Sequence, residues 1–111
     1  MIFRPESGLV YFNMDHVRDT IVDRVRAETV APKLVVLDLS AAPRVDLYSA
    51  HMLGSVADEL TATGIRVQAV EARSSVRERL RTEGVYSKLG AVNRFPSVAD
   101  AVEAFQKQIA I

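Results

Sequence analysis

Short β-rich runs alternate with amphipathic helical stretches along this sequence, and the alternation predicts an α/β fold. The expected order is β-β-α-β-α-β-α-β-α, a mostly parallel or mixed sheet with helices packed against it. Residues 34–39 (LVVLDL) supply a second observation: a nearly continuous apolar run, the pattern of a central strand buried on both faces. A third is punctuation. Pro32, Gly64 and Gly84 fall where helical periodicity stops, as helix terminators should. At 111 residues the chain has room for one compact domain, read as residues 1–111.

The elements follow in order. Residues 2–4 are extended, and Pro5 with Ser7-Gly8 makes a turn signal. Residues 9–12 (LVYF) are β-branched and aromatic, so an opening hairpin is expected. Asn13 then caps a helix whose apolar face is Met14, Val17, Ile21 and Val25, running to about Glu28. After the central strand comes the loop SAAPRVD, and Asp46 caps a second helix with Leu47, Ala50, Leu53, Val56, Ala57 and Leu60 inward. Residues 65–70 (IRVQAV) read as a strand. Ser75 and Glu78 have capping-box spacing for a third helix to about Thr82. Residues 85–90 are a loop whose Val85, Tyr86 and Leu89 either close the core or form a contact patch. Residues 92–95 are a short strand candidate. Ser97 and Asp100 cap a last helix with Val98, Ala101, Val102 and Phe105 on its apolar face, and the terminal QIAI is either frayed or docked.

Composition removes several function classes. Apolar residues make up 49% and charged residues 25%, an ordinary globular balance. Fourteen basic residues offset fourteen acidic ones. That neutrality argues against a nucleic-acid partner, which needs a basic excess. With no cysteine, disulfides, thiolate chemistry and cysteine-held zinc are excluded. The opening MIFRPESG lacks a secretory apolar core, and no apolar run approaches the roughly 20 residues of a membrane helix. His16 and His51 stand alone, without metal-ligand spacing. Phosphate-loop glycine motifs, a nucleophile motif and paired carboxylates at a credible site are all missing, so neither an enzyme nor a bound cofactor is expected.

The segment VVLDLSAAPRVDLYSAHMLGSVADEL resembles the signature of the STAS family, the domain found in sulfate permease (SulP) anion transporters and in bacterial anti-sigma factor antagonists. Its matching features are a buried strand ending at Asp38 and Ser40, then Val45 and Asp46 opening a helix. Upstream, Arg4, Pro5, Leu9, Tyr11 and Asn13 resemble the transporter branch. The likeness covers essentially the whole chain and implies a STAS-like mixed sheet. It further implies a regulatory, protein-interaction domain on the cytoplasmic side of the membrane, without catalysis, cut from a larger sulfate-like anion transporter. Implied partners are the parent's membrane domain, a second copy, or a soluble protein such as acyl carrier protein, with nucleotide a weaker option. The alternative is a free-standing anti-sigma factor antagonist-like protein that binds a kinase or sensor. Such antagonists resemble one another in carrying a phosphorylated serine directly after the helix-opening aspartate. Here that position is Leu47, which has no hydroxyl.

Two groups of residues are candidates for function. Asp38, Ser40, Asp46, Tyr48 and Ser49 cluster around the end of the central strand and the start of the second helix, where open α/β sheets tend to bind ligands. Loop hydrogen bonding and helix capping are the structural roles that compete for them. Arg73, Ser74, Ser75 and Arg77 open the third helix in a basic stretch with Arg79 and Arg81. They suit an anion or nucleotide phosphate, or else an ordinary solvated face with ion pairs.

Overall fold

The computed structural model describes residues 1–109. Its elements are β1 (Ile2–Phe3), α1 (Tyr11–Ala27), β2 (Leu34–Asp38), α2 (Leu47–Ala62), β3 (Arg66–Val70), α3 (Ser74–Thr82) and α4 (Val98–Ile109), with a 3-10 turn at Ser87–Leu89. The α/β expectation holds. The described strands form one sheet in the order β1-β2-β3, and every pairing is parallel rather than mixed.

Side chains alternate across a strand, so each strand serves two layers. Val35, Leu37, Val67 and Ala69 face a core shared with Met14, Ile21 and Val25 of α1, and with Ala50, Leu53, Val56, Ala57 and Leu60 of α2. Val76 and Leu80 of α3 join the same core. On the other face Val36 and Val70 pack with Ala101, bordered by Leu34, Phe95, Val98 and Val102. The molecule is thus a three-layer stack with α4 alone as the second helical layer. The double-sided burial expected of residues 34–39 is explained by this arrangement.

Two expected strands are replaced. Residues 9–12 do not extend a hairpin. Leu9 makes a single parallel bridge to Val45, its N–H donating to the Arg44 carbonyl at 2.9 Å and its carbonyl accepting from Asp46 at 3.0 Å. Val10 is then the N-cap of α1, and Tyr11 and Phe12 are already helical. The cause is Asn13, which sits inside the first turn rather than capping it. Its Oδ1 accepts from the Val10 N–H at 3.0 Å and its Nδ2 donates to the Gly8 carbonyl at 2.9 Å. That reaching-back amide satisfies the entry turn, and β-propensity yields to it.

Residues 92–95 form turns instead of a strand. Ala91 and Asn93 have φ of 58° and 62°, a left-handed backbone incompatible with a pleated ribbon. Asn93 covers the free edge of β3 another way. Its N–H bonds to the Ala69 carbonyl at 3.3 Å, and its side chain accepts from the Ala72 N–H at 2.7 Å and donates to the Ala72 carbonyl at 2.8 Å. Gly90 lies so close beneath that a Cβ there would come within 2.8 Å of the Val67 carbonyl oxygen. The Ser75–Glu78 capping box does not form either. Helix α3 begins two residues early, with Arg73 as a cap that makes no side-chain bond.

Other expectations hold. Asp46 caps α2, and Gly64 follows that helix at φ 83°. Ser97 Oγ accepts from the Asp100 N–H at 3.2 Å and opens α4. Val85 and Leu89 close the core edge, with Tyr86 packed on them and its hydroxyl donating to the Val92 carbonyl. Of the terminal QIAI, residues 110–111 lie outside the described residues.

Candidate functional site

Asp46 is the hinge of the first cluster. Its Oδ1 accepts from the Ser49 N–H and its Oδ2 from the Tyr11 N–H, both at 2.8 Å. One carboxylate therefore serves the exposed amides at the N-termini of both α1 and α2, where a negative charge also suits the two helix dipoles. Burial pushes this carboxyl's pKa up. The Ser49 and Tyr11 donors and the charge of Arg79 outweigh that and hold it below the ordinary aspartate value.

The neighbours divide into separate roles. Ser49 is fully buried (0% exposed). Its Oγ makes no hydrogen bond among the described residues, yet the side chain helps keep the Asp46 carboxylate ionised. A hydroxyl so placed is closed to a modifying enzyme. Tyr48 projects outward and donates to Asp15 Oδ1 at 2.5 Å, a bond that raises the phenol's pKa. Asp38 Oδ1 accepts from the Ser40 N–H at 2.9 Å and closes its own turn. The structure thus brings Asp46 and Ser49 together, pairs Tyr48 with α1, and ties Asp38 to Ser40 as a separate loop lock.

Sequence reasoning missed the surface these bonds create. Docking α1 onto Asp46 leaves Tyr11 at 70% and Phe12 at 77% exposure, beside Leu47 at 54% and Tyr48 at 42%. The Tyr11 and Phe12 rings contact edge to face at 5.8 Å. Ile2 and Val30 are the other large apolar side chains so exposed among the described residues, so most such surface gathers at this one end. Reading LVYF as a strand hid Tyr11 and Phe12. The signal available was Asn13, three residues after Val10, at the position from which a side chain reaches back to a helix start.

The basic cluster is looser. Ser74 and Arg77 come together, with Arg77 Nη2 donating to Ser74 Oγ at 3.1 Å, and both line a shallow polar recess with Arg81 and Tyr86. Glu78 lines it too and pairs with Arg81 at 3.3 Å, which works against an anion. Arg73 and Ser75 lie outside that recess. His16 is exposed, and His51 Nε2 meets Glu83 Oε1 at 2.9 Å. Among the described residues no group of His, Asp and Glu could hold a metal ion, and no helix is long and apolar enough to cross a membrane.

Comparison with known proteins agrees with this architecture. The family model of the STAS domain matches residues 1–101. The probable sulfate transporter 3.5 of Arabidopsis thaliana is 27% identical over 104 residues, which are 94% of this chain and 16% of that protein. Among solved structures, the SulP transporter STAS domain from Vibrio cholerae superposes with a TM-score of 0.80 at 20% identity, covering 98% of this chain and 82% of that one. The murine solute carrier 26 family member A9 anion transporter, in its inward-facing state, gives 0.83 at 22% identity, covering 96% of this chain and 17% of that one. This chain therefore spans about a sixth of the length of the transporters it matches.

Proposed function

Because this chain belongs to the STAS domain family, we propose that it is the cytoplasmic regulatory and protein-interaction domain of a SulP-type transporter for a sulfate-like anion, acting by non-covalent contact without catalysis. The transporters it resembles support the assignment, since the matching region is a small part of each of them.

The observation that carries the mechanism is the apolar end formed by Tyr11, Phe12, Leu47 and Tyr48. Soluble surfaces leave such groups bare in one place when a partner covers them. Leu47 stands where switchable antagonists of this family would keep a serine, and the next serine in line, Ser49, is buried. A serine-based phosphoryl switch has no accessible acceptor at this helix start, which favours contact as the mode of action. The partner proposed for the surface is the membrane domain of the same transporter.

The test is made in the parent protein. Phe12→Glu combined with Leu47→Glu places two carboxylates on the surface without touching the core. Crosslinking of this domain to the membrane domain and anion uptake should both fall, while the domain's proteolytic resistance stays as in the wild type. Unchanged crosslinking and uptake would overturn the proposal, as would a reading frame with no membrane spans beside this domain.

A further inference from the structure

At the far end of the sheet from Asp46, a groove of about 740 Å³ opens between β3, α4 and the segment after the 3-10 turn. Its size falls within the range of small-molecule clefts. The larger part of its walls is apolar, with Leu34, Ile65, Phe95 and Phe105 among the lining residues. The ionisable residues that line it are Arg66, Lys88 and Arg94, all basic, in a chain whose acidic and basic residues balance. Lys88 is offset by Asp58 at 2.8 Å. Among the described residues neither arginine has a carboxylate partner.

Both arginines are oriented instead by aromatic rings of the same groove. The Arg66 guanidinium lies over Phe105 at 5.6 Å and that of Arg94 over Phe95 at 5.4 Å. Stacking uses the flat face of a guanidinium and leaves its N–H edge free, and that edge matches the paired oxygens of a carboxylate or phosphate. Arg66 spends one N–H on the Gln108 side-chain oxygen, a neutral partner. A bare inorganic anion would use the arginines and waste the walls. An apolar molecule would strand two cations against it.

We propose that this groove binds an amphipathic anion, a carboxylate or phosphate head on an apolar chain, with the head between Arg66 and Arg94 and the chain along Phe95 and Phe105. The source is either a free fatty acyl anion or an anionic lipid presented by a membrane.

The test measures binding of the full chain to decanoate and to inorganic phosphate by calorimetry, and to phosphatidylglycerol-containing vesicles by flotation. Saturable binding to decanoate or to the vesicles is expected, and whichever probe binds identifies the source. Arg66→Gln with Arg94→Gln should weaken it about tenfold or more, the scale of one lost charge-assisted bond. Both residues are exposed, so this variant should fold; equal thermal melts check that. Ala104→Glu, which grows a carboxylate into the groove, should abolish binding, and Arg73→Gln should leave it intact. No binding to either amphiphile, equal affinity in the double-glutamine variant, or inorganic phosphate binding as tightly as decanoate would each overturn the proposal.

Discussion

The Asp46 carboxylate holds two helices by their first turns, so its removal should be felt in both. Asp46→Ala deletes both acceptors and should cost about 1–2 kcal/mol, the range for a lost cap and a lost charge-assisted bond. Asp46→Asn keeps one acceptor oxygen and should cost less. The pH dependence has a definite sign. A carboxylate whose folded pKa is depressed contributes fully above its ordinary value of about 4, and the contribution fades as pH falls through the lower folded value. The gap in melting temperature between wild type and Asp46→Ala should therefore be widest near neutrality and narrow below about pH 4. A gap that is constant with pH would mean the ionised form adds nothing. Asp46 was legible as a cap from its place before an apolar-periodic stretch. Its second bond, to Tyr11, was not, because it joins residues 35 apart in sequence.

Helix α2 is fixed against the 3-10 segment by a residue with no side chain. A Cβ on Gly54 would come within 2.6 Å of Val85 Cγ1. Alanine raises helix propensity by roughly 1 kcal/mol, yet overpacking here should cost about 1–3 kcal/mol, so Gly54→Ala should be destabilising on balance. Adding Val85→Ala should restore part of the loss, a coupling that a double-mutant cycle in denaturant melts would reveal. Elements with a strong period were largely legible in advance: Met14, Ile21 and Val25 of α1, and Ala50, Leu53, Val56, Ala57 and Leu60 of α2, are buried as their spacing required, whereas Val17 is only half-buried and Leu47, at the open first turn of α2, is exposed. The failures came from segments of four residues, 9–12 and 92–95. There propensity was overruled by single asparagines, Asn13 drawing the chain into a helix and Asn93 standing in for a strand with its amide. Local apolar content does not encode such a bond.

At the scale of the whole molecule, the second face of the sheet depends on one helix. Leu34, Val36 and Val70 are covered by Ala101, Val98 and Val102 of α4, together with Phe95. Deleting residues 97–111 should uncover this layer and leave the opposite one in place. The expected product keeps much of its far-UV signal, binds a hydrophobic dye and melts without a sharp transition. A truncated chain that still unfolds cooperatively would show that the first core suffices. Three layers were predictable from a central strand apolar on both sides. The all-parallel sheet was not, because the expected hairpin depended on the segment that Asn13 converts.

That uniform direction also governs how the chain reaches its native state. Ile2 aligns with Val36 and Leu34 with Arg66, partners more than thirty residues apart, and no hairpin is available to zip. Each strand must wait for an intervening helix to bring its neighbour round, so loop-closure entropy is spent before any sheet contact returns it. Assembly should accordingly run slower than in a helical bundle of equal length, on the millisecond rather than the microsecond scale. During synthesis the apolar centre of LVVLDL stays without a flank on one side until IRVQAV has emerged from the ribosome.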